Sequence, residues 1–325
     1  MNIAQVVRVE APARLHFGVL DLRGHLGRRF GGIGAAVPAP SVVVEARPAP
    51  DLTAEGPDRD RALEFARRYL ASAGVRPAAR ISVQQAIPAH SGLGSGTQLG
   101  LAVARALAEL FGQDTETAGL AAAVGRAQRS AIGTWTFDQG GFILEGGRRP
   151  GSGRVAPLLA RLPMPEPWWC IVVVPEGTPG LSGEGEAAAF QNLPEPSERE
   201  VERVAHLVLM QLMPALADGD LPAFGAALSE IQRVTGGWFA TAQGGGSFAA
   251  GATERMVRAM AEWGAAGVGQ SSWGPALYGI VEGEAKARQL AEQARGALAG
   301  GGAVYRSRFS NQGARVDRSG IPRAS

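Results

Sequence analysis

The sequence predicts an α+β protein built from two mixed layers of helix and sheet. Three observations predict it. Strand-like and helix-like segments alternate along the chain, without the regular βα rhythm of a doubly wound sheet. The chain has 325 residues, long for a single core, so two domains are expected. Hydrophobic residues make up 45% and charged residues 19%, which suits a packed core and not a disordered chain.

The elements follow in order. Val6-Val7-Arg8-Val9-Glu10 and Ser41-Val42-Val43-Val44-Glu45 alternate as strands do, over residues 5–11 and 41–47, with a glycine-rich segment at 14–36 between them. Residues 60–74 read as a helix ending at Gly74. Residues 80–87 alternate again and read as a strand, which Pro88 ends. A glycine loop, an Ala/Leu helix at 97–111, a second helix at 115–130 and a short strand at Phe142-Ile143-Leu144 come next. The segment 146–167 is rich in Pro, Gly and Arg, and the domain boundary is placed in it, giving domains 1–155 and 156–325. The second half reads as a strand at 168–174, a loop to 184, helices at 198–217, 221–234 and 253–264, a strand at 276–282, a helix at 284–298 and a strand at 303–309. Gly244-Gly245-Gly246 reads as a loop and residues 310–325 as a ragged tail.

Composition excludes several function classes. A formal net charge of +2 and the lack of a basic run argue against nucleic acid. Lys286 is the one lysine, so an anion site must use Arg, backbone N–H groups or hydroxyls. The single cysteine, Cys170, excludes an internal disulfide and a cysteine-rich zinc site, and its apolar strand makes it a packing residue. His16, His25, His90 and His206 show no metal-binding spacing. No apolar stretch approaches the roughly 18 residues of a membrane span, and no secretory leader opens the sequence, so a cytoplasmic protein is expected.

The chemistry-bearing segment is Pro88-Ala89-His90-Ser91-Gly92-Leu93-Gly94-Ser95-Gly96-Thr97-Gln98, with a strand entering and a helix leaving. Its glycines let the backbone turn tightly and approach a ligand. The first N–H groups of the helix have no partner within it, and the dipole adds positive charge, so the loop is a candidate anion site. Rival readings are a plain strand–helix connection, a Walker A loop lacking its Gly-Lys-Ser/Thr, and a dinucleotide fingerprint with the wrong Gly-x-Gly-x-Gly spacing. Asp114 stands where that fingerprint would want an acid, but between two helical stretches.

The loop resembles the second motif of the GHMP superfamily, Pro-x-x-x-Gly-Leu-Gly-Ser-Ser. Ala11-Pro12-Ala13-Arg14-Leu15-His16-Phe17-Gly18 resembles its first motif, and Gly267-Val268-Gly269-Gln270-Ser271-Ser272-Trp273-Gly274-Pro275 its third. Two positions depart from the kinases: Gly96 replaces their second Ser, and Arg14 replaces their first-motif Lys. The longer pattern adds Val19-Leu20-Asp21, Gly31-Gly32-Ile33-Gly34, Phe137-Asp138-Gln139-Gly140-Gly141-Phe142 and Gly180-Leu181-Ser182-Gly183. It resembles the beta-ribofuranosylaminobenzene 5'-phosphate synthases of methanopterin biosynthesis.

The resemblance implies a GHMP-type two-domain fold. A ribosomal S5 domain 2-like N-terminal domain with left-handed βαβ topology precedes a ferredoxin-like C-terminal domain, with the ligand between them. It also implies a reaction. Phosphoribosyl pyrophosphate condenses with 4-aminobenzoate or 4-hydroxybenzoate, carbon dioxide and pyrophosphate leave, and a carbon–carbon bond joins ribose C1 to the ring. Mg²⁺ assists, ATP is not a substrate, and a homodimer is compatible with the fold. An ATP-dependent small-molecule kinase and a non-catalytic ligand sensor are the alternatives on the same scaffold.

Under this resemblance His90, Ser91, Gly92, Leu93, Gly94, Ser95, Gly96, Thr97 and Gln98 cradle phosphate with Gly31 and Gly32, and Arg14 adds charge, with Arg28 or Arg29 beside it. His16, two residues on, shares Arg14's face and joins it in catalysis. Asp138 is the expected Mg²⁺ carboxylate or base, so Asp138→Asn is expected to lower turnover by orders of magnitude while leaving the fold intact; Asp21 is a second candidate. Gln139, Gln270, Ser271, Ser272 and Trp273 are expected substrate contacts, with Trp135 and Trp273 walling an aromatic pocket. Each has an ordinary alternative: Arg14 as a strand-end surface residue, His16 and the tryptophans as core, Asp138 as a turn residue, Glu184 and Glu186 as helix N-terminal acids.

Overall fold

The computed structural model describes residues 6–76, 78–177, 180 and 183–319. Strands β1 (Val6–Asp21) and β2 (Phe30–Pro48) form a long antiparallel hairpin. Strand β3 (Thr53–Glu55), helix α1 (Arg59–Ala73) and strand β4 (Ala79–Gln85) follow as a βαβ unit whose strands are parallel. Helices α2 (Ser95–Leu110), α3 (Thr117–Ala123) and α4 (Ile132–Gln139) then lead to β5 (Phe142–Glu145) and β6 (Leu158–Leu162). Next come β7 (Trp168–Pro175), α5 (Gly183–Asn192) and α6 (Glu198–Leu207), which runs through a π-helical turn at Val208–Leu212 into α7 (Met213–Asp218). Helices α8 (Leu221–Trp238) and α9 (Ala252–Glu262), strands β8 (Gly267–Gln270) and β9 (Leu277–Glu282), helix α10 (Glu284–Leu298) and strands β10 (Gly302–Arg308) and β11 (Arg315–Ser319) complete the described chain.

The described strands make two sheets. One holds seven strands in the path β11-β1-β2-β4-β3, with β5 pairing β2 and β6. The other holds four antiparallel strands in the order β10-β7-β9-β8. The α+β expectation stands. Helix α2 packs on β1, β2 and α1, which is why its Ala/Leu sequence is buried on almost every face. The two layers share one core: Phe17 of β1 meets Tyr278 of β9 with ring centroids 5.0 Å apart, and Trp168 meets Phe224 at 5.0 Å.

Four differences from the sequence reading bear on the sheets or on the site. The glycine-rich segment 14–36 is not a separate loop. Both strands continue into it because Leu15, Phe17, Ile33, Ala35 and Val37 keep a fully buried apolar alternation. The expected helix at 115–130 stops at α3, where Gly125 and Ala127 take positive φ. Strand β6 lies beyond residue 155 yet pairs in the first sheet, and the chain crosses to the second sheet between β6 and β7. Residues 315–319, read as tail, form edge strand β11 on β1; its Arg315-Val316-Asp317-Arg318 sequence lacks the apolar face that marks a strand. No helix among the described residues is long and apolar enough to cross a membrane.

Candidate active site

The three glycine-rich motifs meet at one backbone carbonyl. The Gly92 carbonyl oxygen accepts from Arg14 Nη1 at 2.5 Å and from Ser271 Oγ at 2.7 Å. The His16 amide donates to Ser271 Oγ at 3.0 Å. Two more contacts seal the junction: Arg14 N to the Leu93 oxygen at 3.1 Å and Ala276 N to the Ser91 oxygen at 2.9 Å. Gly92 has φ of +84°, and a Cβ there would lie 2.1 Å from the Ser271 oxygen, so no larger residue fits. Strand β1 bulges between Pro12 and Ala13 and again between His16 and Gly18. Those bulges flank the Arg14–His16 pair, whose side chains both line the cleft below.

Helix α2 begins at Ser95 behind Gly94, and no side chain caps it. Its first amides are therefore open to an anion. They face a cleft of about 500 Å³ between the two layers. Arg14, Arg61, Arg126 and Arg129 line it, and Glu186 is its carboxylate among the described residues. Glu186 pairs with Arg129 at 2.6 Å and accepts from Trp273 Nε1 at 3.2 Å. Aromatic rings stand beside these charges. Phe190 stands edge-on to Phe239 at 5.8 Å and to Trp273 at 5.5 Å, and Phe239 to Trp273 at 4.9 Å. Phe30 adds a further edge at 5.7 Å from Phe190, and the Arg129 guanidinium lies over Phe190 at 5.1 Å. The cleft thus combines cations and open helix amides with an aromatic cluster that contacts Arg129 and Glu186 directly.

Burial tunes the charged groups. Desolvation pulls the Arg14 guanidinium down to about 10, with Glu186 opposing it, so Arg14 stays cationic at neutral pH. His16 is pushed down to about 3 by burial and then by neighbouring Arg14, so its imidazole is neutral. Burial also lifts the Glu145 carboxyl to about 7 against the Gly147 and Ala131 amides that donate to it. Glu145 thereby ties the end of β5 to the start of α4, just after the loop carrying Arg126 and Arg129.

The expected site residues divide clearly. Arg14, His16, Gly31, His90, Gly92, Gly94, Ser95, Gly96, Thr97, Gln270, Ser272 and Trp273 all line the cleft. Ser91, Leu93, Gln98 and Ser271 lie behind it as supports: Ser91 Oγ donates to the Pro88 oxygen, Leu93 is core, and Gln98 donates to the Gly133 oxygen. Gly32 sits under the His16 ring, 3.3 Å from its Nε2 to a Cβ built on the glycine. Asp138 and Gln139 are exposed on the last turn of α4, away from the cleft, and Asp138 accepts from Thr117 Oγ1. Asp138 is thus not in the glycine-rich turn expected of it. Asp21 accepts from the Arg23 and Gly24 amides in the β1–β2 turn. Arg28 donates to the Gly147 oxygen, Arg29 to the Leu22 oxygen and Trp135 to the Ala156 oxygen, none of them in the cleft. Leu181 and Ser182, and the side chain of Glu184, lie outside the described residues. The sequence reading missed Arg61, Arg126, Arg129, Phe190 and Phe239, whose only signal was position on segments read as surface helix or linker.

The donor set does not fit a metal cage. Among the described residues no three His, Cys, Asp or Glu side chains cluster, and Glu186 is already committed to Arg129 and Trp273.

Comparisons with known proteins show the family and the fold. The family model for the GHMP kinases N terminal domain matches residues 60–146, and that for the GHMP kinases C terminal matches residues 212–300. The chain is 37% identical to a beta-ribofuranosylphenol 5'-phosphate synthase of Methanothermobacter thermautotrophicus, over 84% of this chain and 88% of that protein. It is 34% identical to the protein of the same name from Archaeoglobus fulgidus, over 86% of this chain and 89% of that one. Among solved structures it is similar to a homoserine kinase from Cytophaga hutchinsonii, with a TM-score of 0.70, 19% identity and 96% and 97% of the two chains covered. At that identity the likeness concerns the fold alone.

Proposed function

The chain belongs to the beta-ribofuranosylphenol 5'-phosphate synthase family, built on the GHMP kinase fold, and from that premise we propose that it is a cytoplasmic decarboxylating transferase of methanopterin biosynthesis. The donor is phosphoribosyl pyrophosphate and the acceptor a 4-substituted benzoate. The phenol in the relatives' name favours 4-hydroxybenzoate over 4-aminobenzoate. The observation that carries the proposal is the lining of one cleft: guanidiniums, open helix amides and three mutually packed aromatic rings together.

The chemistry follows from these groups. The open α2 amides and Arg14 hold phosphate oxygens of the donor. Phe190, Phe239 and Trp273 receive the benzoate ring against the sugar, placing the carboxyl-bearing carbon at ribose C1. The C1–oxygen bond breaks and its electron pair leaves on pyrophosphate. The ring carbon then bonds to C1. The bond to the carboxylate breaks next, its pair restores the aromatic ring, and carbon dioxide departs. No net proton is taken up or lost, so the cleft needs no strong base. Neutral His16 suits this: it can exchange a hydrogen bond without adding a cation beside an oxocarbenium-like C1. The aromatic wall excludes water that would otherwise hydrolyse the donor. A Mg²⁺ ion serving this reaction would be held by the donor's diphosphate, since the described residues offer no cage for it.

The kinase alternative has less support, because no lysine lines the cleft and glycine stands at position 96. The test is product analysis by mass spectrometry after incubation with donor, Mg²⁺ and either benzoate, and separately with ATP and small alcohols. A C-riboside 5'-phosphate is expected. A phosphorylated alcohol with no riboside would replace the transferase with a kinase.

A further inference from the structure

We propose that Arg61 and Arg126, meeting over Gly96, form a subsite for a diphosphate group, and that glycine at position 96 keeps it open. The inference rests on the proposed reading that a sugar diphosphate occupies the cleft, and it deepens that reading.

Gly96 lies in the first turn of α2. A Cβ built there would lie 2.3 Å from Arg126 Nη2 and 2.7 Å from Arg61 Nη2. Both guanidiniums therefore converge on the point where any other residue would carry its side chain. The kinase motif has serine at this position, and a serine would push both cations away from the helix start. The displaced atoms are ends of flexible side chains, so such a substitution would shift the cations without breaking the fold.

The two arginines are not consumed by structural partners. Arg61 gives Nη1 to Asp58 Oδ2 at 3.1 Å, which leaves Nη2 facing Gly96. Arg126 has no carboxylate within ion-pair distance among the described residues, and its buried Nε has no hydrogen-bond partner. Its guanidinium is laid over the Phe65 ring at 5.1 Å, which fixes its plane. Two guanidiniums thus stand together at the positive end of a 16-residue helix, and no carboxylate side chain pairs with Arg126 among the described residues. Their mutual repulsion costs electrostatic energy, and a polyanion relieves it. A diphosphate matches best, because Arg61 Nη2, the Arg126 guanidinium and the first α2 amides offer donors for oxygens on two phosphoryl groups. It is also the group on which negative charge grows as the C1–oxygen bond breaks.

The experiment is calorimetric titration of inorganic pyrophosphate and, separately, inorganic phosphate into the whole protein and four variants. The wild type is expected to bind pyrophosphate at least tenfold tighter than phosphate. Arg126→Met, Arg61→Met and Gly96→Ser are each expected to weaken pyrophosphate at least tenfold, with circular dichroism unchanged. Arg288→Met, whose exposed guanidinium pairs with Glu284 on α10 outside the cleft lining, should stay within twofold of wild type. Unchanged pyrophosphate affinity in Arg126→Met or Gly96→Ser would overturn the subsite. Should the wild type release riboside while those variants bind normally, only the subsite fails. Should the variants lose pyrophosphate while the wild type makes no riboside, only the reaction fails.

Discussion

Arg14 donates to the Gly92 carbonyl from inside the cleft, so its removal strips both a cation from the substrate side and a knot from the motif junction. Arg14→Met should lower kcat/KM at least 100-fold, roughly 3 kcal/mol of transition-state stabilisation, checked by steady-state kinetics. Asp138→Asn should leave turnover within about threefold, because Asp138 faces solvent and Thr117 away from the cleft. A hundredfold loss there would return Asp138 to the chemistry. His16 gives a pH dependence whose sign is fixed by burial. Its folded value of about 3 lies below the unfolded 6.5. Above 6.5 both states are neutral and nothing is lost. As pH falls towards 3 the unfolded chain takes up a proton that the folded one refuses, and stability drops. Urea melts at pH 7 and 4.5 should show wild type losing about 2 kcal/mol more than His16→Gln over that interval. At this scale the glycine loop, Arg14 and the third motif were legible, because glycine and hydroxyl patterns mark backbone that must approach a ligand. Arg61 and Arg126 were not, since a charged residue on a predicted helix looks like solvated surface until the fold turns it inward.

Helix α8 couples the site to both sheets through one amide side chain. Gln232 donates to the Phe17 oxygen of β1 and accepts from the Gln270 amide of β8 at 3.0 Å. Gln232→Leu would orphan both buried backbone groups and should cost about 3 kcal/mol, read as a lowered urea midpoint, together with weaker donor binding. Most elements were readable from periodicity: α1, α2, α10, β4, β7 and β9 fall within a few residues of their expected spans. Three were not. Strand β6 sits in a Pro- and Gly-rich stretch, α5 starts among glycines, and β11 is a polar edge strand. Each owes its structure to a tertiary neighbour and not to a local apolar pattern. The break at Gly125 and Ala127 mattered most, because it turns a presumed helix face into the loop that delivers Arg126 and Arg129 to the cleft.

Across the whole molecule the formal net charge is only +2, yet among the described residues four guanidiniums and one carboxylate line a single cleft. Positive potential is thus concentrated where the donor's phosphates would bind, and low-dielectric walls focus it. The two-sheet frame makes this possible: β1 brings Arg14 and His16 from the first sheet, and the turn after β8 brings Ser271, Ser272 and Trp273 from the second. In the proposed reaction this cleft joins a phosphorylated ribose to a benzoate ring with loss of the carboxyl group. The decisive assay is release of labelled carbon dioxide from carboxyl-labelled 4-hydroxybenzoate and 4-aminobenzoate, with and without phosphoribosyl pyrophosphate. Release should require the sugar donor, be faster with 4-hydroxybenzoate and be matched mole for mole by pyrophosphate. Absence of donor-dependent release from both acids would refute the transferase.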